Sequence, residues 1–140
     1  MASRQSALHE GSVSAFVVLL LVALFVVLGM VVDGGSALAA HQSAVDEAEQ
    51  AARAGAGSLS VDALRAGSLQ LDPQAAIASA EAFTAAAGHP GAVTVSGGVV
   101  TVSIHYRVTT SVLGIVGIGA LPVSATASAV DIGGVVRGSP

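Results

Sequence analysis

The side chains that could carry out acid–base or metal chemistry are few and lie far apart in the sequence. The four histidines are His9, His41, His89 and His105, and no two have the His-x-x-x-His spacing that places two imidazoles on one helix face. The sequence has no Gly-x-Ser-x-Gly segment, no phosphate-binding glycine loop and no cysteine. We therefore predict no catalytic residues, no cofactor and no metal site, and the chain is not expected to be an enzyme.

The carboxylates of the second half of the chain are interpreted in the same way. Their spacing is typical of helix caps and solvated faces rather than of an acid–base pair; they are Asp62, Asp72, Glu81 and Asp131. The function is therefore expected to lie in surfaces that pack against other parts of the chain or against partners.

Composition narrows the class of protein. The 140 residues are 53% hydrophobic and only 10% charged, whereas soluble globular proteins are usually about 25% charged. With 3% aromatic residues and no Trp, an aromatic-lined pocket for a small-molecule substrate is not expected. A net charge of −4 also argues against nucleic acid as a partner, because phosphate binding needs clustered Arg and Lys. The composition instead favours a membrane or a dense assembly.

An uncharged stretch near the N-terminus is long enough to cross a bilayer. Residues 13–32 are apolar except for Ser14 and Gly29. Twenty residues at ~1.5 Å per residue span roughly 30 Å as a helix, which matches the hydrocarbon thickness of a bilayer. We predict a single transmembrane helix over residues 13–32.

The charges that flank this stretch favour one orientation. Arg4 and the terminal amine precede it together with one acid, Glu10, whereas acidic residues follow it up to the first arginine on that side, Arg53. Basic residues near a span tend to stay in the cytoplasm. Residues 1–12 are therefore predicted to be a cytoplasmic tail or leader, and the rest of the chain is predicted to be extracytoplasmic.

A cleaved signal peptide is the alternative. Residues 37–39 read Ala-Leu-Ala, an A-x-A site that would release a secreted domain beginning at Ala40. Signal peptides usually have an apolar region of about 7–15 residues, shorter than the twenty seen here. The membrane anchor is therefore preferred, and a secreted or cell-surface binding module is kept as the second hypothesis.

The helix is predicted to continue through residues 33–56, which are rich in Ala and contain no Pro. Small residues recur along one face at steps of three and four, and they form the predicted helix-packing face: Ala37, Ala40, Ala44, Ala48, Ala51 and Gly55. Two interpretations remain open. Either the chain's own head rests on this face, or the face packs against other copies or partners in a bundle.

Residues 57–132 are predicted to form a small α+β head, followed by a flexible tail at residues 133–140. Asp72-Pro73 is typical of a helix start, and the alternating segments around Gly97-Gly98 predict a β-hairpin. Residues 123–130 alternate again and predict a third antiparallel strand. The Gly-rich apolar segment 112–121 is open to three interpretations: a core loop, a contact with the membrane surface or a patch for a partner.

The order of these parts resembles the TadE/TadG-like proteins of the tight-adherence (Flp) pilus system. The resemblance is carried by the short tail, the uncharged span, Val31-Val32-Asp33-Gly34 at its exit and the Ala-rich helix that follows. Leu71-Asp72-Pro73, the Val/Thr hairpin and the Leu113–Ile118 segment also fit. It implies a pilin-like α+β fold and a minor pilin, pseudopilin or assembly factor that contacts other pilus or secretion subunits, including copies of itself.

The resemblance also implies a processing site. Pilin-type leader peptidases cut after a Gly, so Gly11 and Ser12 would flank the cut. Pilins usually carry Glu at the fifth mature position, whereas this chain would have Phe16 there. A membrane-resident assembly factor does not need that Glu. A third hypothesis is a membrane-anchored regulator without a fibre role.

Overall fold

The structure, a computed structural model, describes residues 6–130, with side chains for residues 13–115 and 117–130. Asp131, the predicted flexible tail at 133–140 and the first residues of the predicted leader lie outside the described residues. Gly11 and Ser12 fall within the first helix, but the surroundings of these two residues are not described.

One long helix, α1 (Ser6–Ala56), contains the apolar stretch and the Ala-rich stretch without a break. Gly34 and Gly35 do not interrupt it. Among the described residues, α1 is the helix apolar enough to cross a membrane, with a mean hydropathy of 3.3 over its most apolar 18 residues and only 6% of that window buried. The predicted continuation of the helix beyond residue 32 is confirmed, and the exposed apolar stretch suggests membrane anchoring.

Two shorter helices follow, and each begins at a capping side chain. In α2 (Val61–Arg65) the hydroxyl of Ser60 accepts from the N–H of Ala63, and in α3 (Pro73–Ala86) the carboxylate of Asp72 accepts two N–H groups. These bonds satisfy backbone donors that the first turn of a helix leaves unpaired. The predicted helix start at Asp72-Pro73 is confirmed.

Three strands form one antiparallel sheet in the order β1-β2-β3: β1 (Ala92–Ser96), β2 (Val99–Thr109) and β3 (Ala120–Val130). Gly97 and Gly98 join β1 to β2 with φ of +58° and +79°, as a tight hairpin turn requires. The predicted hairpin and the α+β class are confirmed.

The third strand begins at Ala120, three residues before the predicted start, so the last two residues of the segment 112–121 belong to β3. Pro122 therefore lies inside the strand. A proline cannot donate to a neighbouring strand, but β3 is at the edge of the sheet, where an N–H can go without such a partner.

The chain divides into two compact units. Of the described residues, the first contains 6–36 together with Thr109–Leu121, and the second contains Ala37–Val108 and 122–130. The core of the second unit joins small residues of α1 and α3 to large residues of β2; all are fully buried, namely Ala48, Ala51, Ala52, Ala76, Ala80, Val100, Val102 and Ile104. Helix backbones can approach the sheet closely because the helix side chains are methyl groups.

Candidate functional site

The first unit is built around the carboxylate of Asp33, the residue that directly follows the predicted span. Asp33 is only 3% exposed, and its two oxygens accept hydrogen bonds from three consecutive backbone N–H groups. The N–H of Ser111 lies 2.9 Å from Oδ1, and those of Val112 and Leu113 lie 2.9 and 2.6 Å from Oδ2. The carboxylate thus fixes the loop between β2 and β3 to α1.

These bonds favour the charged form of Asp33. The N–H of Leu113 contributes most to lowering the pKa of Asp33 below its usual 3.8; burial opposes the shift, and the N–H groups of Ser111 and Val112 add to it. A carboxylate that accepts several N–H groups holds its charge because the donors replace water. Asp33 therefore remains an anionic clamp at neutral pH.

The loop at residues 110–119, hereafter the apolar loop, also pairs its backbone internally. The buried Thr110 donates its N–H to Gly119 O and its hydroxyl to Ile118 O, which closes the base of the loop. A 3₁₀ turn spans Leu113–Val116 and ends at Gly117, where φ is +94°. Including the three bonds to Asp33, seven loop residues have a paired N–H; they are Thr110, Ser111, Val112, Leu113, Ile115, Gly117 and Ile118.

The apolar loop packs on the apolar stretch of α1. Gly29 is buried there because Val112 occupies the place of a side chain: a Cβ on Gly29 would lie 2.2 Å from Cγ1 of Val112. About one to two helical turns before Gly29, the loop and the helix border a groove. The lining of this groove is apolar: Val22, Phe25, Val26, Val112, Leu113 and Ile115. Glycine at position 29 allows this close approach.

The tip of the loop presents apolar side chains outward. Ile115 is 85% exposed and Ile118 is 47% exposed, and residues 110–119 include no charged side chain. Apolar surface gathered in one place in this way usually marks an interaction site.

The predicted helix-packing face lies in the second unit, where the chain itself covers most of it. Ala44, Ala48 and Ala51 are fully buried, whereas Ala37 and Ala40 are half-buried. Gly55 is also buried, since a Cβ there would lie 2.9 Å from the carbonyl oxygen of Ala76 and from a methyl group of Val100. Of the two interpretations, this arrangement corresponds to a head that rests on the helix.

In the same unit, a polar cluster brings together Glu47, His89 and Tyr106, which lie far apart in the sequence. The hydroxyl of Tyr106 donates to the carbonyl oxygen of Ala40 at 2.6 Å, and the ring of His89 stacks on Tyr106 with centroids 4.1 Å apart. His89 Nδ1 lies 3.0 Å from Oε2 of Glu47. Burial, with a smaller contribution from Glu47, raises the pKa of Tyr106. These contacts tie β2 and the segment that follows α3 to α1.

The groups of this cluster contact one another and the backbone of α1. The hydroxyl of Tyr106 donates its hydrogen bond to a backbone carbonyl oxygen. A neutral phenol with a raised pKa is a poor base at neutral pH. Within the described residues no group of three His, Asp or Glu side chains is placed to hold a metal ion. His41 and His105 are exposed and lie outside the cluster.

Comparison with protein families supports the resemblance seen in the sequence. Residues 11–58 match the Tad family model, described as Flp pilus-assembly TadE/G-like. Over this segment the chain is similar to TadE/G-like proteins. The match covers about a third of the chain and includes the apolar stretch, Asp33 and the Ala-rich part of α1. No curated protein and no solved structure matches the chain.

Sequence reasoning missed the role of Asp33. The residue was considered only as a flanking charge and as part of the exit motif, because its three partners lie 78 to 80 residues away. Two features of the sequence indicate such a role: Asp33 is an acidic residue at the end of an apolar span, and the uncharged segment around residues 112–121 has no predicted contact.

Proposed function

We propose that this TadE/G-like chain is a membrane-anchored structural protein of a Tad/Flp-type pilus or secretion apparatus, acting as a minor pilin, pseudopilin or assembly factor. The observation that carries the proposal is the family match over residues 11–58, which coincides with the apolar stretch and its helical continuation. The match and the exposed apolar helix together support membrane association in a pilus context.

The proposed topology places the N-terminus in the cytoplasm and the head outside, with α1 crossing the membrane once. The distribution of charge around the span supports this orientation. The proposed role is structural rather than enzymatic, and the proposed partners are other subunits of the apparatus and copies of the chain itself. With the small residues of α1 covered by the head, such partners would meet the exposed faces of α1 and the outer face of the sheet.

The first experiment recovers the untagged protein from membrane, sheared-fibre and culture-medium fractions of its own cells, and determines its mass and N-terminal sequence in each. An intact N-terminus in the membrane supports an assembly factor, and Ser12 as the first residue in fibres supports a pilin-like subunit. A chain that begins at Ala40 in the medium would overturn the proposal in favour of a secreted module.

A second experiment separates the two supported roles. In a deletion strain, pili are counted after complementation with the wild-type chain, with Gly11→Leu or with Gly34→Leu. Gly34 is the matched control because nothing lies within 4 Å of a Cβ added there. Loss of pili only with Gly11→Leu indicates processing at Gly11, whereas normal pili with both variants indicate an unprocessed assembly factor. Normal piliation of the deletion strain itself would contradict the proposal.

A further inference from the structure

The depth of the apolar loop along α1 suggests where it operates. Val26 and Val22, which border the groove, precede Asp33 by seven and eleven residues, or roughly 10 and 16 Å along a helix. With Asp33 at the end of the span, these depths run from about 10 Å to about the middle of the hydrocarbon core, which is about 30 Å thick. The groove therefore lies at the level of lipid tails.

The backbone of the loop is suited to such surroundings. Non-helical backbone is tolerated at membrane depth only when its polar groups are satisfied within the protein. Among the described residues, seven N–H groups of the apolar loop are paired, three of them with the carboxylate of Asp33. Pairing these N–H groups lowers the cost of moving the loop from water into lipid.

The side chains complete the argument. The loop carries no charge, and Ile115, which is 85% exposed, borders the same groove as the exposed Phe25 of α1. In water this surface would be costly, whereas among acyl chains it is favourable.

We propose that the apolar loop inserts into the bilayer beside the span, as a second membrane contact whose groove is filled by phospholipid acyl chains. The inference rests on the membrane anchoring in the proposed function, but not on a role in pili. It places the tip of the loop around Ile115 in the lipid phase, beyond the three amides that Asp33 binds.

The test uses the full-length chain, which has no native cysteine, in phosphatidylcholine vesicles with or without brominated acyl chains. Single cysteines carry an environment-sensitive NBD fluorophore. Ile115→Cys is the reporter, Val27→Cys in the span is the lipid control, and Leu64→Cys in α2 is the water control; all three native side chains are exposed. Iodide in the buffer is the aqueous quencher.

The expected result is a blue-shifted emission at position 115, with bromolipid quenching at least half as strong as at position 27 and little iodide quenching. Iodide quenching at position 115 equal to that at position 64 would overturn the inference, and so would shielding from both quenchers, which indicates contact with protein. If position 27 is not quenched by bromolipid, the membrane anchor fails as well. Quenching at 27 but not at 115 refutes the loop insertion alone.

Discussion

The burial of Ala48 predicts that Ala48→Leu destabilises the isolated protein, without any partner present. Ala48 is fully buried within its own chain, because it belongs to the cluster formed by α1, α3 and β2. Leu adds three carbon atoms at this position, and because the position is buried they cannot extend into solvent. Either α1 or the sheet must shift to accommodate the larger side chain.

The size of the effect follows from this burial. Adding methylene groups to a well-packed core typically costs about 1–3 kcal/mol, and Leu is nearly as good a helix former as Ala. For a unit of this size, each kcal/mol lowers the melting temperature by about 4–8 °C. A decrease of about 4–24 °C is expected.

The chain offers a local probe and a matched control. Tyr106 is the sole tyrosine, the chain has no Trp, and Tyr106 contacts α1 in the second unit. Its fluorescence in detergent micelles therefore reports unfolding of that unit. Ala54, also in α1 but exposed, is the control, because Ala54→Leu adds the same atoms to the surface and should change the free energy of unfolding by less than about 0.5 kcal/mol.

Equal melting temperatures for wild type and Ala48→Leu would refute the reasoning. If that variant instead kept its stability but lost crosslinks to other subunits, the small-residue face would belong to a bundle and not to the head. A similar loss of stability in both Leu variants would show that the effect does not depend on burial.

Three further predictions follow from other contacts. Gly55→Ala should lower the free energy of unfolding by about 1 kcal/mol in a urea titration, because the clash with α3 exceeds the ~1 kcal/mol that Ala gains as a helix former; a more stable variant would contradict it. Since the pKa of Asp33 is lowered in the folded state, its stabilisation of the apolar loop is present above about pH 4 and is lost as the pH falls through the lowered pKa. Hydrogen exchange at the amide of Leu113, corrected for its intrinsic pH dependence, should lose protection over that acidic range, and unchanged protection would argue against the clamp. Tyr106→Phe removes the hydrogen bond to Ala40 O and should cost about 0.5–1.5 kcal/mol, measured by circular dichroism during thermal unfolding; no loss would show that the bond is not stabilising.

The sequence by itself determined the elements whose rules are local. An uncharged stretch of twenty residues predicts a span from its length, Asp72-Pro73 predicts a helix start from capping, and Gly97-Gly98 predicts a tight turn from its φ requirement. The exposed pair of Glu49 and Arg53, four residues apart on α1, also follows from helical spacing. Each of these features depends on residues that are close together in the chain.

Only the tertiary structure decided what covers the small-residue face and what holds the apolar loop. The spacing of Ala44 and Ala48 specifies a helix face but not what covers it, so it is compatible with both the head and a bundle of subunits. In the structure, residues of the sheet pack on this face. The bonds from Asp33 to the loop and from Glu47 to His89 join residues 42 to 80 positions apart. Such contacts form because hydrophobic packing brings distant segments together, and no periodicity along the chain encodes which polar groups then meet.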